Sequence, residues 1–328
     1  MDHADVAILI VAYKSRDCLP QVLEALDQQL VRPARVRVLE NGSPEGEQLN
    51  RADLPDWVEF IHSDTNLGFA AGNNRLAEGL SERWLVCLNP DAFPDPDWLQ
   101  ELMNGAAAYP DASLFGSTQR AHGRPGVLDG AGDVYHFTGQ PYRGAYGKRI
   151  EVPEDGEVFA PCGAALMIRQ DVFEALGGFD EDFFCYCEDV DLGYRARLAG
   201  HHCIQLQRAQ VSHMGYGSSG KRSDFVTYHG VRNRLWTFLK NTPAPLIYLM
   251  APFHAALTAL LWVSSARFGQ FGVFTRGLRD GFAGWSEIMR KRASIQSART
   301  ITPGQLGRMI NWDPRAIFTR QPDVRSKG

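Results

Sequence analysis

The sequence predicts an α/β fold: a mostly parallel sheet flanked by helices, followed by a helical C-terminal extension. Three observations carry this reading. Val6 to Ala12 is an uninterrupted apolar run rich in Val and Ile, as in a strand covered on both faces; a strand with one wet face would alternate. Strand and helix periods then follow one another in a β-α-β-β-α-β cadence up to Leu88, the pattern of a sheet with helical crossovers. Finally, 328 residues at 44% hydrophobic and 22% charged are enough for a full core and a soft prior of about two domains.

The elements follow in order. After the first strand, Leu19, Val22, Leu23 and Leu26 fall at helical spacing within Cys18 to Leu30. Arg35 to Leu39 and Trp57 to Ile61 return to strand, Leu76 to Leu80 ends a further helix, and Trp84 to Leu88 is a strand again. Loops at the strand C-termini of such a half-domain are where ligands bind, which makes the first half the cofactor or donor side. From Tyr109 to Glu157 the chain loosens into polar, Gly-rich sequence, read as loops and short hairpins. Phe159 to Ile168 is strand-like, Asp171 to Leu176 helical, Gly177-Gly178 a turn, Glu188 an acidic helix start, and Cys203 to Leu206 a strand leading to His213. The chain divides into residues 1–240, with a nucleotide-type half 1–108 and an acceptor-type half 109–240, and an extension 241–328.

Charge excludes some functions. A formal net charge of -4 argues against a protein that coats nucleic acid, and no heptad pattern persists. The balance is uneven: residues 267–328 carry 12 Arg and Lys against 4 Asp and Glu, so that end suits an anionic partner. Just before it, residues 241–266 hold 26 positions without a formal charge, long enough to cross a bilayer. Pro243, Pro245, Pro252 and His254 weaken a span, and flanking Lys240, Arg267, Arg276 and Arg279 suit an in-plane or re-entrant element on an anionic leaflet; a buried helical hairpin is the alternative. Six scattered cysteines without a C-x-x-C pair read as reduced thiols. The N-terminus begins acidic and runs straight into a strand, unlike a signal peptide, which puts the working part on the cytoplasmic side of a membrane.

Three constellations could do chemistry. Asn89-Pro90-Asp91 sets a carboxylate at a strand C-terminus on a stiff turn, suited to a hard divalent cation, although such turns are also ordinary loop chemistry. Glu188, Asp189 and Asp191 follow the aromatic run Phe183 to Cys187. Asp191 fits a helix start paired with Arg195, whereas aromatic surface beside Glu188 and Asp189 would desolvate a carboxylate and make it a candidate base. His213 follows a strand and precedes the polar loop Tyr216 to Lys221; its weight comes from the company of the other two.

Taken together, these groups resemble the inverting, nucleotide-sugar-dependent glycosyltransferases of GT-A fold and family 2 type, and among them the bacterial rhamnosyltransferases. The resemblance runs from Val6 to about Asn241. Its most specific part is Asn66-Leu67-Gly68-Phe69-Ala70-Ala71-Gly72-Asn73-Asn74, followed by the Asn-Pro-Asp triplet where the family has D-x-D, the run Glu188-Asp189-Val190-Asp191-Leu192 with Ala199-Gly200, and Arg232-Asn233-Arg234-Leu235-Trp236. The resemblance implies that Asp91 and His213, with Asn89 nearby, hold Mg²⁺ or Mn²⁺ at the diphosphate, and that Asp189 is the general base. Glu188 would hold the acceptor or orient that base. Glu40-Asn41-Gly42-Ser43 stands where the family has D-N-x-S, so Glu40, Asn41 and Ser43 would meet the nucleotide. Gly68, Gly72, Asn73 and Asn74 would approach the donor, and Arg232 and Lys221 the diphosphate.

The implied reaction moves a sugar, rhamnose from dTDP-rhamnose foremost, to a lipid-linked or cell-envelope glycan at the cytoplasmic face of the inner or plasma membrane. A different class, a catalytically silent nucleotide-sugar-binding subunit of a glycan-assembly complex, draws on the single carboxylate of Asn-Pro-Asp and on Glu40. A nucleotidyltransferase is set aside because Val11 to Ser15 contains no glycine for a phosphate loop.

Overall fold

The computed structural model describes residues 3–215 and 223–326. The strands are β1 (His3–Ala12), β2 (Arg32–Asn41), β3 (Val58–Ser63), β4 (Trp84–Leu88), β5 (Ala92–Pro94), β6 (Ala112–Ala121), β7 (Leu128–Gly130), β8 (Asp133–Tyr135), β9 (Pro141–Arg143), β10 (Gly156–Glu157), β11 (Ala165–Arg169) and β12 (His202–His213). The helices are α1 (Leu19–Asp27), α2 (Gly68–Ala77), α3 (Trp98–Ala108), α4 (Gln170–Ala175), α5 (Glu188–Leu198), α6 (Asp224–Asn241), α7 (Leu246–Ser265), α8 (Phe271–Ala283), α9 (Trp285–Ser297), α10 (Pro303–Met309) and α11 (Ala316–Thr319).

One sheet in the order β10-β12-β6-β11-β4-β1-β2-β3 organises the chain. The period of two explains why the central strands are apolar throughout: each residue faces one of two covered sides. Val6, Ile8, Ile10 and Ala12 of β1, with Trp84, Val86 and Leu88 of β4, pack under α1 and α3. Ala7 and Leu9, with Leu85 and Cys87, pack under α2, α4 and α5. Each such side chain contributes about 1.5–3 kcal/mol on burial.

The α/β class with helices on both faces is as read, but the sheet is mixed. β4, β1, β2 and β3 run parallel, as do β6 and β12, whereas β11 is antiparallel to β4 and β6 on its two sides. β6 also corrects the loop reading of residues 109–157. It is a ten-residue interior strand in which two buried hydroxyls find partners: Trp98 Nε1 donates to Ser117 Oγ at 2.8 Å, and Thr118 Oγ1 donates to the Leu206 carbonyl at 2.8 Å.

The extension is built into the same body. Leu246 and Met250 of α7, Leu306 of α10 and Ile310 join Tyr135, Phe159, Val190 and Tyr194 in a third core. Near the end of the chain, Arg325 exchanges two backbone hydrogen bonds with Glu157 of the β10 edge, at 2.7 and 2.9 Å. Removing residues 241–328 would therefore open this core rather than detach a tail. The excess of cations beyond residue 266 is also partly spent internally, Lys291 pairing with Asp180 and Asp182 and Arg325 with Asp323.

Candidate functional site

The site forms where β4 ends. Asn89 leaves the sheet while its backbone N–H donates to the Ala164 carbonyl at 2.9 Å, and the Asp91 carbonyl accepts from Met214 at 3.1 Å. His213, the last residue of β12, pairs with Ala92 and Ala121. These ladders bring residues far apart in sequence together: His213 Nε2 lies 3.3 Å from Asp91 Oδ1 and 3.3 Å from the Asn89 amide nitrogen. The other ring nitrogen, Nδ1, is 2.8 Å from Asp129 Oδ2, and Asp129 is itself bridged to Arg143. Burial pushes the His213 imidazole down, but its bonds to Asp129 and Asp91 outweigh that and hold it above the ordinary value. Burial pushes the Asp129 carboxyl up, and His213 and Arg143 bring it below the usual range.

An imidazole held at one nitrogen by a buried carboxylate while the other faces a second carboxylate is the usual support for a metal-binding histidine. One nitrogen and one oxygen donor therefore fit a divalent cation at Asp91 and His213.

Asp189 approaches from the far side of the same strand end. Gly163, adjacent to the Ala164 that anchors Asn89, donates its backbone N–H to Asp189 Oδ2 at 2.8 Å, and Val190 donates to Oδ1 at 2.8 Å. A Cβ at Gly163 would stand 3.1 Å from the Asp189 Cβ, so the small residue admits the carboxylate. Glu188 is buried, with one carboxyl oxygen lacking a partner. Burial foremost, and then the charge of Asp189, raise its pKa well above the ordinary value, so the desolvation expected of this run falls on Glu188. Asp191 is structural as read, bonded to Arg195 at 2.8 Å and also to Lys240 at 2.8 Å and Asn241 at 2.7 Å.

The loop leading into α5 is strained: Phe184, Tyr186 and Cys187 have φ of 61°, 72° and 68°, values costly for non-glycine residues and often found at working sites. Two elements hold it. From α6, Asn233 Nδ2 reaches the carbonyls of Phe183, Cys185 and Tyr186 at 2.8, 2.9 and 2.7 Å. From α2, the N–H groups of Phe69 and Ala70 donate to the Phe184 carbonyl at 2.7 and 3.2 Å.

This second hold gives the Asn66–Asn74 segment a structural task beside the one expected of it. Gly68, at φ +81°, would place a Cβ 2.4 Å from the Phe184 carbonyl oxygen, and Gly72 packs against Val11. Asn73 is buried and donates to the Phe69 carbonyl. Asn74 donates to the Phe179 carbonyl at 2.9 Å and accepts from its N–H at 2.9 Å. Gly68 and Asn74 hold the segment before α5, Gly72 packs on the sheet, and Asn73 bonds within its own helix. Arg232 likewise donates to the carbonyls of Asp182 and Phe183 at 2.8 and 3.1 Å and stacks over Trp236.

The residues expected at the nucleotide are also turned to the frame. Glu40 is fully buried, its oxygens accepting from the backbones of Ser43 at 2.7 Å and Leu49 at 2.9 Å. Asn41 accepts from Leu67 and donates to Asn66, and Ser43 Oγ accepts from Lys14 N at 2.9 Å. These three shape the loop that follows β2. Lys221 lies outside the described residues.

Three residues that the motifs do not single out complete the site: Asp129, Asp133 and Arg143. Burial first, then the charge of Asp189, push the Asp133 carboxyl up to about 8, with Arg143 opposing. Their one signal in the sequence is a pair of acids four apart in the glycine-rich run Leu128 to Asp133.

The mixed α/β sheet gathers a carboxylate–imidazole pair and a second carboxylate at one strand end, and the class of the enzyme, a sugar transferase, is read from the sequence. The profile of glycosyl transferase family 2 matches residues 7–177, and the chain belongs to that family; it is a glycosyltransferase. Among its relatives is the N-acetylglucosaminyl-diphospho-decaprenol L-rhamnosyltransferase of Mycobacterium tuberculosis, 27% identical over 65% of this chain and 77% of that one. Another is the low-salt glycan biosynthesis hexosyltransferase Agl10 of Haloferax volcanii, 25% identical over 70% of this chain and 74% of that one. A mannosyltransferase from Pyrobaculum calidifontis, solved with GDP-Man and Mn²⁺, superposes with a TM-score of 0.53 over 91% of this chain and 86% of that one at 14% identity. Residues 1–349 of S. aureus TarS, solved with UDP, give 0.51 over 76% and 70% at 13% identity. These two likenesses speak to the fold, which is GT-A-like.

Proposed function

We propose that this enzyme inverts an anomeric centre as it moves a hexose, rhamnose from dTDP-rhamnose foremost, onto a lipid-linked or cell-envelope glycan. The observation that carries the reading is the adjacency of Gly163 and Ala164: one backbone step ties Asp189 to the turn that bears Asp91. Asp91 and His213 would hold Mg²⁺ or Mn²⁺, which supplies positive charge to the departing diphosphate when bound. Asp129 keeps the His213 Nδ1 proton toward itself and so turns the lone pair of Nε2 toward the cation position. Asp189 takes the proton of the acceptor hydroxyl at its carboxylate as that oxygen attacks the face opposite the leaving group. The Gly163 and Val190 N–H groups fix its orientation, so little reorganisation is needed at the moment of transfer. The rhamnosyltransferase relative supports the donor and the lipid-linked acceptor, and the Mn²⁺ in the mannosyltransferase neighbour supports the cation.

The enzyme works, in this reading, at the cytoplasmic face of the inner or plasma membrane. Helix α7 docks on the protein through Leu246, Met250, His254 and Ser265 and turns Tyr248, Leu249, Phe253, Leu260 and Val263 to solvent. A helix tethered along one side and apolar on the other suits in-plane insertion better than a crossing. The residues from Leu246 to Phe268 are long and apolar enough to cross a membrane by length and composition.

The test is a panel of dTDP- and UDP-sugars with membrane lipid extract, with and without Mg²⁺ or Mn²⁺, following nucleoside diphosphate release and product anomer. Cation-dependent transfer that Asp189→Asn abolishes is expected. Donor binding with no turnover on any acceptor would overturn the reading in favour of a silent binding subunit.

A further inference from the structure

Asp133, Cys162 and Asp189 come from three separate segments, and each brings one ligand atom to within 4.8 Å of the other two. Asp133 and Cys162 are each only 6% exposed. Among the described residues no hydrogen-bond donor reaches the Asp133 carboxylate, although it is aimed at Asp189. Among the described residues a buried acid is thus left without a donor, which buried polar groups rarely are. We propose that these three side chains form a second metal site, selective for Zn²⁺ and similar thiophilic dications, distinct from the Asp91–His213 pair.

The chemistry separates the two positions. Carboxylate with imidazole and phosphate oxygens suits Mg²⁺ or Mn²⁺, whereas a cysteine sulfur favours Zn²⁺. Tetrahedral Zn²⁺ with bonds of about 2.3 Å to sulfur and about 2.0–2.2 Å to oxygen sets its ligands roughly 3.5 Å apart, so closure by about 1 Å completes the set. Cys162 and the Asp133 carboxyl each release a proton to solvent as they bind, and water takes the fourth place. The Gly163 and Val190 N–H groups already orient Asp189 as outer partners orient a metal-binding carboxylate. Zn²⁺ held here takes up the Asp189 lone pair that would accept the acceptor proton, so zinc inhibits transfer. That consequence rests on the proposed role of Asp189; metal binding itself does not.

The full chain, freed of metal by a chelator, is titrated with Co²⁺ as a coloured substitute for Zn²⁺. Wild type is expected to develop the near-ultraviolet thiolate-to-cobalt band, which Zn²⁺ bleaches. Cys162→Ser is expected to lose the band while keeping its far-ultraviolet circular dichroism, and Asp133→Asn to weaken binding about tenfold or more. A wild type without the band, or a folded Cys162→Ser that keeps it, overturns the site. If Cys162→Ser does not fold, an undiminished affinity in Asp133→Asn does the same. In a second arm, nucleotide release in excess Mg²⁺ falls with added Zn²⁺ in wild type and resists it in Cys162→Ser. Activity untouched by zinc in a protein that shows the band overturns the inhibition. Absence of transfer without any zinc counts instead against the proposed function.

Discussion

Asn233 is the residue through which the catalytic loop can be tested most directly. Its amide nitrogen has two hydrogens and serves three carbonyls, those of Phe183, Cys185 and Tyr186, while its oxygen accepts from Arg232 Nε at 2.9 Å. The side chain is fully buried. Asn233→Ala strands the Cys185 and Tyr186 carbonyls, while that of Phe183 keeps Arg232; at about 1–3 kcal/mol for each unsatisfied buried group, the loss of stability is about 2–6 kcal/mol. Asn233→Asp is expected to be worse than alanine, because an oxygen then faces the three carbonyls while the bond from Arg232 survives. The assay is urea unfolding followed by circular dichroism, paired with turnover. Freed from the clamp, the left-handed residues before Glu188 relax and Asp189 shifts, so kcat should fall by about tenfold or more, with the KM for donor little changed. Stability of Asn233→Ala within about 0.5 kcal/mol of wild type, or an aspartate variant no worse than alanine, would refute the reasoning.

Other outcomes follow from the same geometry. Asp189→Asn keeps an amide oxygen for the Gly163 N–H, so it should fold normally and bind donor while transfer drops roughly a hundredfold to ten-thousandfold, read from initial rates. Asp129→Asn should raise the Mn²⁺ concentration for half-maximal activity about tenfold or more, measured by metal titration. Burial would raise the Asp180 carboxyl, but Lys240 and Lys291 outweigh it and bring it from 3.8 down to about 2. Its stabilisation of about 2 kcal/mol is therefore present above pH 4 and lost as pH falls toward 2, so an Asp180→Asn variant should be weaker by that amount at neutral pH and converge with wild type in acid, as thermal melts would show. The double substitution Leu249→Asp with Leu260→Asp should abolish flotation with phosphatidylglycerol vesicles, since each leucine contributes about 1.5–3 kcal/mol when buried; undiminished flotation would remove α7 from the membrane contact.

Much of the frame is legible because burial on two faces leaves a plain mark. β1 and β4 read as apolar runs, α1 shows its spacing, and the ends of β4 and β12 carry Asp91 and His213 where the sequence suggests. β6 escapes the same reasoning. Its Ser117, Thr118 and Gln119 are interior yet polar, the first two satisfied by Trp98 and Leu206 elsewhere in the chain. Asp129 and Asp133 escape for a related reason: short strands between glycines carry no period, and the value of an acid there depends on which residue the fold brings against it. The reverse also occurs. Glu40 stands in the right motif, yet both its carboxylate oxygens accept from backbone groups and it faces away from solvent.

The clasp between the Asn66–Asn74 turn and the approach to α5 has a bearing on how parts of such enzymes are exchanged. Phe69, Ala70 and Asn74 grip main-chain atoms of Phe179 and Phe184 across more than a hundred residues of intervening chain. The two stretches behave as the halves of one buckle, and a chimera should transplant 66–74 and 178–187 as a unit.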